Sequence, residues 1–333
     1  MAGARGIALR FRSASWVAII SLALLVACNS IVGFDDLTKQ PRRPDAGAGP
    51  SLDDDDITGD DDDDDKPRDG GVDAGPRCDR TKPFGPAAVL EVGTDQVAET
   101  KRAILTRDEL ELFYLRGTSA PFELRHATRA DREAAWGEPR TEVLSPGASE
   151  LGSLVLGGQK LYYFVVDTSG PSLVTSVFWA SRKAGGAFSP GTKFNTIDRP
   201  VHVTEQDDSV YWAVNEVIDG AGNELLHRGN VVGNAMTGET TLTSTHFFPS
   251  LDDNPVASRS ELILYFSSTR PGGLGASDIW RSTRASKSED WGEAVNAGEV
   301  NSSTVDKPSW VSDDDCVLYL DKARHISIAR RPL

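Results

Sequence analysis

The chain is poor in the residues on which most metal and acyl-transfer chemistry depends, with five histidines, three cysteines and two methionines in 333 residues. His126, His202, His227, His246 and His325 are scattered without a His-x-x-x-His or other metal-ligand spacing, which excludes a zinc-hydrolase helix. No Gly-x-Ser-x-Gly elbow is present. A net charge of −15 with no basic cluster excludes a nucleic-acid footprint. The longest apolar run, Trp16 to Ala27, falls short of the roughly 20 residues a helix needs to cross a bilayer. The expectation is therefore no metal, no cofactor and, since no catalytic constellation stands out, no enzyme.

What is present begins with a secretory layout. Arg5, Arg10 and Arg12 precede the apolar run, and Cys28 ends it. Leu25-Val26-Ala27-Cys28 resembles the lipobox of bacterial lipoproteins, which implies acylation of Cys28 and residues 1–28 as a lipoprotein signal peptide. Asn29 after the cysteine implies, by the same resemblance, sorting to the outer membrane of a Gram-negative envelope. Residues 29–80 then hold sixteen Asp, no Glu and seven Lys plus Arg. With Pro, Gly and Ala filling much of the rest, such a segment cannot bury a core and reads as a disordered acidic tether. Its runs Asp53 to Asp56 and Asp60 to Asp65 lack the glycine turn and distal Glu of a calcium loop. Residues 81–333 keep a charge of −9.

That remainder repeats. Phe84-Gly85-Pro86, Trp136-Gly137-Glu138-Pro139, Phe188-Ser189-Pro190, Thr237-Gly238-Glu239 and Trp291-Gly292-Glu293 recur every 50 or so residues, the period of propeller blades. Between them lie continuous apolar runs, Glu111 to Leu115, Lys160 to Phe164, Ser209 to Ala213, Leu262 to Phe266 and Cys316 to Leu320. Such runs suit strands covered on both faces. A further strand in each unit ends in Arg, at Arg129, Arg182, Arg284 and Arg330, with a weaker copy at Leu225-Leu226-His227-Arg228. Asp198-Arg199-Pro200, Asp253-Asn254-Pro255 and Asp306-Lys307-Pro308 enter the first strand of three units, and the repeated Asp is expected to cap a turn.

These features together resemble the TolB-like, WD-related propeller repeat of bacterial envelope proteins over about residues 84 to 331. The resemblance implies an all-β, five-bladed propeller of four-stranded blades. The last unit stops after three strands while Phe84 to Leu90 matches a fourth, so the amino-terminal strand is expected to complete the carboxy-terminal blade. Cys78 and Cys316 then fall at the same end of that blade, where a disulfide can staple the seam in an oxidising compartment. The implied work is binding: a membrane-anchored scaffold for an envelope protein or other ligand. The alternative is a carbohydrate-active enzyme or glycan-binding lectin using the channel, with cell-wall glycan as partner. Arg270, Leu274 and Asp278, on the long hairpin around Pro271-Gly272-Gly273, are the candidate partner contacts.

Cys28→Ala is expected to abolish metabolic labelling with a fatty acid and to release the protein from membranes; labelling that survives the substitution would end the lipoprotein reading.

Overall fold

The computed structural model describes residues 77–120, 122–167, 169, 174–194, 201–218 and 221–333. Cys28, nearly all of the Asp-rich segment and Asp198-Arg199-Pro200 lie outside the described residues. None of the described helices is long and apolar enough to cross a membrane.

Twenty strands form five antiparallel four-stranded sheets. Strand β1 is Ala88–Val89. The first blade is β2 (Thr100–Leu105), β3 (Glu111–Arg116), β4 (Glu123–Thr128) and β5 (Arg140–Glu142). The second is β6 (Glu150–Val155), β7 (Lys160–Asp167), β8 (Val174–Ser181) and β9 (Thr192–Lys193). The third is β10 (Val201–Val203), β11 (Ser209–Ile218), β12 (Ala221–Val232) and β13 (Ala235–Thr241). The fourth is β14 (Asp252–Ala257), β15 (Ile263–Ser268), β16 (Asp278–Thr283) and β17 (Val295–Asn296). The fifth joins β18 (Asp306–Val311), β19 (Val317–Lys322) and β20 (His325–Arg330) to β1, which pairs with β20 through Ala88↔Ile328 and Val89↔Ser327. The chain thus forms a five-bladed propeller closed by its own amino-terminal strand. Closure gives the fifth blade its fourth strand, so that its outer edge is the two-residue β1 instead of the six-residue β20. In the third blade the weak repeat gives the longest strands, and Gly238 sits inside β13 where the other blades place an aromatic before the outer strand.

The second strands are apolar throughout because each lies between neighbouring sheets: Leu112 to Leu115, Leu161 to Phe164 and Leu264 to Phe266 are almost wholly buried. A hairpin carboxylate is present in four of the five blades, and in three of them it ties the blade to the preceding one. Glu109, Asp207, Glu261 and Asp315 occupy equivalent positions between first and second strands, all at φ between 54 and 64°. A non-glycine residue there costs about 1–2 kcal/mol. The cost is offset by what the carboxylates receive. Tyr162, Tyr211 and Tyr265 each donate from the preceding blade to Asp207, Glu261 and Asp315, at 2.7, 2.6 and 2.6 Å. In the second blade this position is Gly158, at φ 82°, and the preceding blade has Phe113 in place of tyrosine, so acid and hydroxyl are lost together.

The arginine that closes the third strand serves the same hairpin. Arg129, Arg182 and Arg284 donate through Nε to the carbonyls of Glu109, Gly158 and Glu261, each at 2.7 Å, and stack on Trp136, Phe188 and Trp291. In the fifth blade this arginine is Arg331 instead of Arg330: it donates to the Asp315 carbonyl at 2.8 Å over Phe84, while Arg330 is exposed. Arg331, like Arg129, Arg182 and Arg284, is the residue directly after its third strand, so the register places the repeat's arginine one residue later than the sequence motif did.

The described chain begins at Arg77, and its first residues are tied to the fifth blade. Arg77 pairs with both oxygens of Asp314, at 2.6 and 2.8 Å, and Cys78 is disulfide-bonded to Cys316 with Cα atoms 5.6 Å apart. The bridge spans 238 positions and joins the start of the blade-closing segment to the hairpin of the fifth blade. In the chain-entropy picture so long a loop contributes about 5 kcal/mol, and loss of a native disulfide typically costs about 2–5 kcal/mol. Replacing both cysteines by serine is expected to lower the urea midpoint by a corresponding amount without changing the circular dichroism of the fold; an unchanged midpoint would show that the seam holds without its covalent staple.

Candidate functional site

The first strand carries a one-residue bulge in four of the five blades, between Lys101 and Ile104, Leu151 and Ser153, Asp253 and Val256, and Pro308 and Trp310, while the described part of β10 in the third blade pairs in unbroken register. A bulge bends the strand and re-aims its side chains, here at the propeller axis. Gly152 occupies the bulge of the second blade, where an added Cβ would sit 2.7 Å from the Val201 carbonyl oxygen.

Registering the blades on these bulges puts Lys101, Glu150, Asp253 and Lys307 at one position, the first or second residue of each first strand. The result is a group of two cations and two carboxylates around one mouth of the channel, with Lys307 near enough to Lys101 to add to the lowering of its pKa by burial. Glu150, Asp253 and Lys307 are between about a quarter and two-fifths exposed, so the ring is wet. Lys307 lies 3.4 Å from Asp253, and Lys101 Nζ sits 3.7 Å over the Phe122 ring. Burial lowers the Lys101 pKa, with Glu150 and Asp321 opposing.

Beneath the ring Arg102 closes the channel. Its buried side chain donates to the Leu151 carbonyl at 3.2 Å, to Asn254 Oδ1 at 3.0 Å and to the Pro308 carbonyl at 3.3 Å, and lies 3.3 Å from Glu150. One guanidinium thus joins the first blade to the second, fourth and fifth. Its backbone N–H donates to Asp321 Oδ1 at 2.7 Å. Burial pushes the Asp321 carboxyl up to about 6, against the Arg102 charge and hydrogen bond and the Lys307 charge, with Glu150 adding to the rise. A perturbed carboxyl among two further carboxylates and three cations at a channel mouth is the most chemically loaded place among the described residues.

The opposite mouth, where the first and second strands are joined, has its own charged residues: Arg107, Glu205, Arg259 and Asp313, each following the Thr or Ser that opens its hairpin. Asp313 lies 2.9 Å from Arg107 and 3.8 Å from Arg259. Burial raises the Glu205 pKa, and the Asp313 charge adds to it.

The sequence-derived candidates fare differently. Arg270 is buried: its guanidinium binds Asp252 at 2.9 Å and the Thr245 carbonyl at 2.7 Å and stacks between Phe266 and Trp280. Asp278 is 1% exposed and accepts the Gly275 N–H. Neither can meet a partner, because both organise the hairpin from inside; Leu274, 68% exposed, alone stays at the surface. Asp306 caps a turn as expected, accepting the Ser302 N–H at 2.6 Å. Its counterpart in the fourth blade is Asp252, not Asp253, since both begin the strand three pairs from the central tyrosine and both are wholly buried. Pro255 stands one place later than Pro308, which misaligned the motif and concealed Asp253 as a member of the ring.

No family model matches the chain, and no curated protein matches it. Among solved structures it is similar to a thermostable family-43 glycoside hydrolase, with TM-score 0.50 and 13% identity over 73% of this chain and 91% of that one. TolB from Acinetobacter baumannii aligns with TM-score 0.45 and 10% identity over 70% of this chain and 54% of TolB. An α-L-arabinofuranosidase from Lactobacillus brevis aligns with TM-score 0.42 and 12% identity, over 72% and 92%. The expectation of a non-enzyme is corrected by the first of these: the fold is one that a glycoside hydrolase uses, so missing sequence motifs give no ground for excluding catalysis.

Because the folded-state pKa of Asp321 lies above its ordinary value of 3.8, the folded protein holds this proton more tightly and loses stability as pH rises from about 4 through 6. Asp321→Asn, which keeps an acceptor for Arg102 and cannot ionise, is expected to be more stable than the parent above pH 6, with the gap closing towards pH 4. A gap independent of pH in urea titrations would refute the burial argument.

Proposed function

We propose that the protein is a lipid-anchored envelope propeller that binds glycan at the mouth ringed by Lys101, Glu150, Asp253 and Lys307 and cleaves it there. The observation that carries the reading is the Asp321 carboxyl, raised to about 6 beside Glu150 and Arg102. Glycoside cleavage needs one carboxyl that still holds a proton and a second carboxylate close by, and environments that push two such groups apart assign the roles. Asp321 is the proton donor, and Glu150 or Asp253 the partner. The mixed-charge ring offers sugar hydroxyls both donors and acceptors, and Phe122 a ring face. The acyl anchor on Cys28, the acidic tether and outer-membrane placement belong to the same proposal. The chain enters the propeller at Cys78, on the hairpin end, so the ring lies at the end away from the entry point.

A protein partner is the second reading, favoured by Phe247, Phe248, Leu251, Leu274 and Val305, all more than two-fifths exposed on segments at the same end as the ring.

The test uses the full chain on a panel of cell-wall and plant-type glycans. Turnover is expected to fall as pH rises through about 6, and Asp321→Asn to lower kcat by at least about a hundredfold, the usual range for loss of a general acid. Absence of both binding and turnover across the panel would sink the glycan reading, and in-cell crosslinking to one envelope protein would then establish the second.

A further inference from the structure

Deeper in the channel, Ser153 and His202 occupy equivalent positions on adjacent blades, opposite Tyr162 and Tyr211 in their own sheets. Ser153 Oγ lies 3.3 Å from His202 Nδ1, and His202 Nε2 lies 3.1 Å from the Ala257 carbonyl oxygen. A carbonyl only accepts, so Nε2 carries the ring proton. Nδ1 is then the bare nitrogen, and the Ser153 hydroxyl donates to it. The Val203 N–H, 2.8 Å from Ser153 Oγ, fixes the oxygen in place. Burial holds His202 down at about 4, with the Arg102 charge adding to the fall, so the imidazole is neutral at physiological pH.

Both residues line a cavity of about 40 Å³ that opens towards the hairpin mouth, and two unsatisfied groups line it with them. The Ser309 hydroxyl, on a residue 2% exposed, has no hydrogen-bond partner, and neither has Arg259 Nε. A buried polar group left unpaired costs about 1–3 kcal/mol, which a ligand would recover.

We propose that Ser153 and His202 are a nucleophile and base that accept short acyl esters, of acetyl size, at the hairpin end of the channel. Nucleophile, base and an orienting third group are all in place. Ser153 Oγ attacks the ester carbonyl and its proton passes to His202 Nδ1. The tetrahedral oxyanion meets the Ser309 hydroxyl and the Arg259 Nε–H. Collapse breaks the ester C–O bond, and the leaving alkoxide takes the proton from His202. Water, deprotonated by His202, then releases the acid and restores Ser153. The cavity volume sets the substrate class, since it has no room for a sugar ring or a long acyl chain. The proposal is independent of glycan binding at the opposite mouth.

The full chain is treated with methanesulfonyl fluoride, a probe small enough for the cavity, and separately with p-nitrophenyl acetate quenched in acid, and peptides are read by mass spectrometry. A sulfonyl or acetyl adduct on Ser153 is expected. His202→Gln should reduce its formation at least about a hundredfold at an unchanged melting temperature, and Ser153→Ala should remove it. No adduct on Ser153 of the wild-type protein, under conditions that modify a known serine hydrolase, would overturn the proposal. So would equal labelling of the His202→Gln protein.

Discussion

The structure depends on a carboxylate held where a glycine would be easier. Glu261 shows the interaction at its fullest: wholly buried, it accepts from Tyr211 of the third blade and Lys287 of its own at 2.6 and 2.8 Å, and from Arg228 at 3.0 Å. Burial alone would raise its pKa, yet these donors hold it at about 2. A buried charge with fewer partners would be strongly destabilising. Because Tyr211, Arg228 and also Ser209 all donate from the preceding blade, the hairpin is shaped fully only when its neighbour is present. The blades therefore specify one another, and the ring geometry follows from local turns. At the junction of the first and second blades the acid is absent, and other contacts take over. Arg182 sits over Phe113 at 4.8 Å and pairs with Glu111 at 2.9 Å.

Rigid blade spacing turns the bulges into a site. A bulge at one place in four of the five first strands aims equivalent residues at a common axis, so substitutions that are neutral in a single sheet become neighbours across the channel. Lys101, Glu150, Asp253 and Lys307 are brought to one mouth by this means alone. Arg102 then decides the depth: its guanidinium satisfies two carbonyls and Asn254 across the axis, between the wet ring and the cavity around His202, and its charge reaches that imidazole.

Much of the fold was legible in the sequence because it is built from repeated local rules. The apolar second strands, the arginine after the third and the borrowed strand at the seam were all readable at a period of about fifty residues. The site was not, for a physical reason. Residues that meet on the axis occupy the same place in the repeat but differ in identity, so no motif joins them. Register there turns on a single bulge, which the displaced Pro255 disguised. Arg270 and Asp278 misled in the opposite way: charged residues beside Pro and Gly suggest an exposed turn, yet a long hairpin needs buried polar anchors to hold its shape. Ser153 escaped notice because its base lies 49 positions away and neither residue sits in a recognised pattern.

The two ends of the propeller are also held differently. The disulfide, the Arg77 ion pairs and the start of the described chain all lie at the hairpin end of the first and fifth blades. The charged ring and the exposed apolar residues lie at the other end, reached through the first strands and braced by Arg102. The covalent staple and the hairpin acid Asp315 therefore fix the closing blade and not the strands that present the ring, because the closing strand pairs with β20 at the outer edge while the ring is set by β2, β6, β14 and β18 at the centre.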